Sequence, residues 1–91
     1  MNKSELAAEV AARTGQPKKE TELALSVAFD IISGALEAGE RVQLAGFGVF
    51  DVKERAARIG RNPRTKEEIR IEASRIPVFR PGRALRELID K

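Results

Sequence analysis

Apolar residues near the start of the chain recur at the spacing of a helix. These positions are Leu6, Ala7, Val10 and Ala11. Asn2, with Glu5 three residues later, has the form of an N-terminal capping box, and Gly15 interrupts the pattern. The spacing predicts a first helix over residues 3–14.

A longer helical stripe follows Pro17, a residue that suits the opening of a helix. Its apolar positions are Leu23, Ala24, Val27, Ala28, Ile31, Ile32, Ala35 and Leu36. Leu25 and Phe29 extend the apolar surface beyond that stripe, so one short partner helix cannot cover it all. We expect a long amphipathic helix that ends near Gly39 and gains further cover from a second subunit.

From Arg41 the apolar period changes to two, which is typical of strands. Strand-like residues precede and follow the bend Gly46-Phe47-Gly48. Its glycines permit positive φ or close backbone approach, so we expect a tight turn that buries Phe47. The bend lacks the third glycine and the following helix of a dinucleotide-binding loop.

Residues 55–74, here called the arm, are poor in apolar side chains and rich in arginine. The turn-rich segment 60–65 lies between strand-like residues and predicts a protruding β-ribbon with Pro63 near its tip. Residues 75–81 read as a returning strand, and residues 84–89 as a short third helix.

The order of these elements predicts an α+β fold in one domain, residues 1–91. Two N-terminal helices precede a three-stranded antiparallel sheet, which extends into the arm and is followed by the short C-terminal helix. Residues 1–54 and 75–91 are here called the body. A chain of this length buries a limited fraction of its surface alone, which again favours oligomerisation.

Composition narrows the function classes. The chain has no Cys, His, Trp or Tyr, so it lacks disulfides, the usual soft metal ligands and the commonest proton-transfer group. We therefore expect no enzyme activity, metal, cofactor or small-molecule substrate. The start of the chain does not resemble a secretory signal and no apolar run approaches bilayer length, so we expect a cytoplasmic protein with no membrane partner.

Charge is distributed unevenly along the chain. Residues 1–52 carry 5 basic and 8 acidic side chains, whereas residues 53–91 carry 12 and 6. Such asymmetry in one small domain indicates a polyanionic partner. Five arm arginines can fork onto phosphate oxygens, namely Arg55, Arg58, Arg61, Arg64 and Arg70.

Two residue types leave alternatives open. The four phenylalanines have apolar neighbours and suit a core better than base stacking, which disfavours single-stranded partners. Pro63 is either an ordinary turn former or an apolar wedge that enters between base pairs.

The motifs together resemble the bacterial histone-like HU family of DNA-bending proteins. The matching runs are Gly46-Phe47-Gly48-Val49-Phe50, Arg55-Ala56-Ala57-Arg58, Gly60-Arg61-Asn62-Pro63, Ile76-Pro77-Val78-Phe79 and Pro81-Gly82. The likeness covers essentially the whole chain. It implies an intertwined homodimer in the nucleoid, whose two arms embrace double-stranded DNA and bend it with little sequence preference.

The resemblance also implies roles for particular residues. Pro63 intercalates in the minor groove, as wedges of HU and similar proteins are known to do. Lining residues are Arg55, Arg58, Arg61 and Asn62; Arg64, Lys66 and Arg70 complete the arm's predicted DNA-binding set, and Lys3, Arg80 and Arg83 are the predicted contacts of the body.

Two departures and two alternatives accompany this prediction. Lys66 stands where the family often has Gly, so a positive φ there would be strained. Acidic Glu67, Glu68 and Glu72 are predicted to lie on the returning strand of the arm, where they weaken its attraction for phosphate. The alternatives are a site-preferring subunit like integration host factor, including a heterodimer with a paralogue, and an RNA-binding or scaffolding module.

Overall fold

The structure is a computed structural model that describes residues 1–91. Its helices are α1 (Lys3–Thr14), α2 (Lys18–Glu37) and α3 (Arg83–Ile89). Its strands are β1 (Val42–Leu44), β2 (Gly48–Arg55), β3 (Arg58–Arg61), β4 (Glu68–Ile71) and β5 (Ser74–Pro81). The predicted α+β class and element order are confirmed.

The reciprocal contact predicted between Asn2 and Glu5 is present at the start of α1, but the Glu5 carboxylate accepts from the side chain of Asn2 and not from its backbone N–H as in a full capping box. Asn2 Oδ1 accepts a hydrogen bond from Glu5 N–H at 2.9 Å, while Asn2 Nδ2 donates to the Glu5 carboxylate at 3.2 Å. At the other end, Gly15 adopts φ 74°, the left-handed conformation that commonly ends a helix. Because both ends of α1 are set by residues that the sequence shows directly, the observed helix has the predicted bounds.

Two antiparallel sheets lie in series along the chain. The first has strand order β1-β2-β5, and the second contains only β3 and β4. Two residues on each strand separate the pair Arg55–Ser74, which ends the first sheet, from the pair Arg58–Ile71, which begins the second. The arm is thus a continuation of the β2–β5 hairpin beyond a short break.

The overall dimensions show how far the arm projects. The molecule measures 59 × 33 × 27 Å and has a radius of gyration of 19.0 Å. A compact chain of this length would have a radius of gyration of about 12 Å. The elongation therefore arises from a ribbon that leaves the body and does not fold back on it.

Arg75 joins the base of the arm to the end of α2. Its guanidinium donates hydrogen bonds to the carbonyl oxygens of Leu36 and Glu37, at 3.2 to 3.3 Å. The last turn of α2 has no basic residue of its own. A cation at that position stabilises the exposed carbonyls and the negative end of the helix dipole.

The Gly46-Phe47-Gly48 turn forms as predicted, but the prediction that it buries Phe47 was wrong for the single chain. Gly46 has φ 80°, and a Cβ on Gly48 would lie 2.6 Å from the ring of Phe79. Phe47 packs against Phe79 with ring centroids 5.4 Å apart, yet it remains 48% exposed. One face of its ring has no cover within a single chain.

Apolar exposure extends well beyond this turn. The only buried residues of the chain are Ala7, Ala11, Thr21 and Gly48. On α2, the row of Leu23, Val27 and Ile31 is exposed, and so is Phe29 on another side of the helix. Monomeric proteins rarely leave this much apolar surface in water. The prediction that α1 alone cannot cover α2 is confirmed.

We expect the protein to sediment as a dimer at micromolar concentration, with twice the 10.0 kDa mass of the chain. Phe47→Lys should weaken this association and lower the unfolding temperature, because a charge would replace an aromatic ring that needs apolar cover. Lys19→Ala, at the exposed start of α2, is the control. Sedimentation equilibrium that returned the mass of one chain would contradict the prediction.

Candidate nucleic-acid interface

The arm presents arginine on both of its faces. Residues paired across antiparallel strands share a face, and Arg58 pairs with Ile71 whereas Arg61 pairs with Glu68. Since the two arginines are three positions apart on one strand, their side chains lie on opposite faces of the ribbon. A ribbon of this kind inserted in a groove can reach both of its walls.

Most of the arm's arginines have no acidic partner. No ion pair within 4 Å involves Arg55, Arg58, Arg61 or Arg64, and the same holds for Lys66. Arg70 is the exception, since its Nε lies 3.1 Å from a carboxylate oxygen of Glu72. The unpaired guanidinium groups can bind phosphate without first breaking an ion pair.

The acidic residues of the returning segment occupy three different settings. Only Glu68 lies within β4, whereas Glu67 precedes the strand and Glu72 follows it. The prediction that all three lie on the returning strand was therefore wrong for two of them. Glu68 stands opposite Arg61 in the strand register and Glu72 pairs with Arg70, so each lowers the positive potential near one arginine.

The predicted residues of the body are placed apart from the arm and are already engaged. Arg80 in β5 donates to Asp51 at 2.7 Å, and Arg83 at the start of α3 donates to Glu87 at 2.8 Å. Lys3 donates to the hydroxyl of Ser26 at 3.0 Å. The partners of Arg80 and Lys3 depend on contacts between distant elements, whereas the i,i+4 spacing of Arg83 and Glu87 on α3 was a signal that could have revealed their pairing.

Lys53 is a basic residue that the sequence prediction did not include. Alternate residues of β2 share one face of the sheet, so Lys53 lies on the same face as Val49 and Arg55. Arg80 is paired with Val49 across β2 and β5 and therefore lies on that face too. Lys53 thus shares a sheet face with two of the predicted DNA contacts, Arg55 and Arg80. The period-two alternation around Arg55 was the signal that could have identified it.

The tip of the arm is a four-residue hairpin loop, residues 63–66. Asn62 and Glu67 close it, since Asn62 N–H donates to Glu67 C=O at 2.9 Å. Lys66 N–H donates back to Asn62 C=O at 2.7 Å. This bond joins residues four positions apart, as in an α-turn. Pro63 lies exposed at the start of the loop.

Exposed apolar side chains accompany the arginines along the arm. Ile59 is 72% exposed, and Ile69 and Ile71 are also exposed. A Cβ on Gly60 would lie 3.0 Å from the Cδ1 atom of Ile71, so that side chain lies over the glycine. The arm thus offers cations together with apolar contact area, and no aromatic ring.

No group of acidic side chains in the structure could hold a metal ion, and no helix is long and apolar enough to span a membrane.

Comparison with known proteins agrees with this geometry. The family model described as bacterial DNA-binding protein matches residues 1–90. The chain belongs to this family. The resemblance that the sequence motifs indicated is therefore confirmed.

Individual members of the family match along their whole length. The chain is 52% identical over 89 residues to DNA-binding protein HU of Geobacillus stearothermophilus, covering 98% of this chain and 99% of that protein. It is 50% identical over 91 residues to DNA-binding protein HU of Clostridium pasteurianum, with complete coverage of both. An HU–DNA cocrystal structure from Anabaena has 43% identity and a TM-score of 0.88, covering 98% of this chain and 97% of that one.

Lys66 has the unusual backbone conformation that the sequence prediction considered. Its φ is 62°, and it is the only non-glycine residue of the chain with positive φ. A side chain in this region costs about 1 kcal/mol relative to glycine. The four-residue loop requires the conformation, so the strain is built into the tip.

Lys66→Gly should therefore stabilise the tip relative to Lys66→Ala, and both variants remove the same charge. The expected difference is about 1 kcal/mol, or roughly fivefold slower amide exchange in the glycine variant. The amide of Asn62 is the probe, because its hydrogen bond to Glu67 closes the loop. Equal exchange rates in the two variants would show that the left-handed conformation carries no strain.

Proposed function

We propose that the protein binds double-stranded DNA as a homodimer through the minor groove and bends it, with little preference for sequence. It acts as an architectural protein of the bacterial nucleoid and carries out no catalysis. The observation that carries this proposal is an arm whose exposed Pro63 lies between unpaired arginines. The DNA-bound Anabaena relative, similar over nearly the whole chain, supports it.

The electrostatic part of binding rests on the arm. Arg55, Arg58 and Arg61 would contact phosphate and would be attracted by the negative potential of the minor groove. Arg64 and Lys66 would add positive charge near the tip. The minor groove offers a degenerate pattern of donors and acceptors. Contacts of this kind fix the position of a protein on the duplex and carry little information about base identity.

The body would add contacts at the flanks of the site. Arg80 and Arg83 have intramolecular acidic partners at 2.7 and 2.8 Å, so a carboxylate already neutralises part of the positive charge that each would offer to a phosphate. Lys3 and Lys53 have no acidic partner within 4 Å. We therefore assign the larger share of phosphate binding to the arm and to these lysines.

Pro63 would act as the wedge. Its ring is rigid and apolar and has no N–H, so it can fill the gap of an opened base step without desolvating a donor. Unstacking costs a few kcal/mol per step, and bending a short site smoothly costs roughly 1 to 6 kcal/mol. The phosphate contacts of two arms and two bodies offset this cost.

Replacing Arg58 or Arg61 by Ala should weaken binding about equally on unrelated duplexes. Each variant should also lower the slope of log affinity against log salt by about 0.9, because one counterion fewer is released per lost phosphate contact. Arg13→Ala is the control, since this arginine lies on α1 beside Glu9 and away from the arm. A loss confined to one duplex would reveal direct readout of bases and favour a site-preferring protein.

The wedge predicts a selective defect for Pro63→Ala. The variant should keep most of its affinity, because the charges of the arm are unchanged, but it should lose much of the bend on intact duplex. The defect should shrink on gapped duplex, which is already easy to kink. End-to-end fluorescence energy transfer at saturating protein measures both.

An unchanged bend on intact duplex would rule out Pro63 as the wedge.

Affinities for duplex RNA and for single strands, measured at the same salt concentration, test the alternative function. An RNA-binding module would prefer these ligands over duplex DNA. That preference would overturn the proposed function as a whole.

A further inference from the structure

Asn62 makes more hydrogen bonds at the tip than any other residue there. Its N–H donates to Glu67 C=O and its C=O accepts from Lys66 N–H. Its side-chain Oδ1 accepts from the N–H of Arg64 at 2.8 Å and, more weakly, from that of Thr65 at 3.4 Å. The residue is half-buried, unlike its neighbours in the loop.

The side-chain contacts form an Asx-turn, in which an asparagine side chain takes the place of a backbone carbonyl. The turn encloses Pro63, the residue between Asn62 and Arg64. Proline fixes its own φ but leaves the direction of the chain on either side to its neighbours. The ring direction is therefore set by the bonds that flank it, and Asn62 supplies those bonds.

We infer that Asn62 is a positioning residue whose side-chain carbonyl holds Pro63 in the direction needed for insertion. This inference rests on the proposed function and changes the role that the resemblance implied for Asn62, from a group that lines the groove to one that shapes the wedge. Asn62 Nδ2 donates to no other protein atom. A direct bond from this amino group to DNA is the competing role.

Asn62→Ala and Asn62→Asp separate the two roles. Alanine removes both the acceptor oxygen and the amino group. Aspartate keeps an acceptor for the Arg64 amide but replaces the amino group by a negatively charged oxygen. Thr65→Ala is the matched control, because it removes a hydroxyl from the same loop that makes only a 3.4 Å contact with Glu67 N–H.

The first readout uses the full chain without DNA. Hydrogen exchange of the Arg64 amide should be about fivefold faster in Asn62→Ala, the change expected for loss of one ordinary hydrogen bond. Exchange in Asn62→Asp and Thr65→Ala should stay close to that of the unchanged protein. An Arg64 amide that remained equally protected in Asn62→Ala would overturn the inference.

The second readout is the bend at saturating protein, measured by energy transfer on intact and gapped duplexes. Asn62→Ala should lose most of the bend on intact duplex and recover it on gapped duplex, the same pattern that is predicted for Pro63→Ala. Asn62→Asp should need more protein to saturate, because of its charge, but should bend intact duplex fully. Thr65→Ala should behave as the unchanged protein.

Two outcomes would contradict the positioning role. Full bending by Asn62→Ala would show that the wedge needs no Asx-turn. Loss of the bend in Asn62→Asp with the Arg64 amide still protected would assign the effect to the amino group, and so to direct contact with DNA. If the unchanged protein bent no duplex, the proposed function would fail, and the amide exchange in the free protein would still decide whether Asn62 fixes the tip.

Discussion

The structure depends above all on the shortage of buried apolar surface in the single chain. Four residues are buried, while apolar side chains on α2, at the β1–β2 turn and on α3 remain exposed. Burial of apolar area is the main favourable contribution to folding, and this chain cannot complete it alone. A second copy of the chain would complete this burial, and in the proposed complex it would bring a second arm to the same DNA.

The arm is stabilised in a different way, because it has no core at all. Its shape depends on the ladder of β3 and β4, on the closing bonds of Asn62 and on the left-handed conformation of Lys66. Arg75 holds the strand that leaves the arm against the end of α2. A small number of polar contacts thus determines where Pro63 points, and the apolar body determines where the arm begins.

The sequence predicted features that depend on neighbours along the chain. The capping contacts of Asn2 and Glu5 fixed the start of α1, and the turn residues around Pro63 located the tip of the arm. The burial of Phe47 was predicted wrongly because a pattern of apolar residues does not say whether the cover comes from the same chain. The roles of Arg75 and Asp51 depend on contacts between distant elements, and the Asx-turn depends on a side-chain rotamer. The spacing of residues along the chain therefore could not predict these features.

Ring closure of short duplexes measures most directly whether the protein bends DNA. Duplexes well below the persistence length of about 150 base pairs circularise poorly because they resist bending. We expect the protein to raise the circularisation rate several-fold on two duplexes of unrelated sequence, and by similar factors on both. No increase on either duplex, despite saturated binding, would contradict the claim that this protein bends DNA.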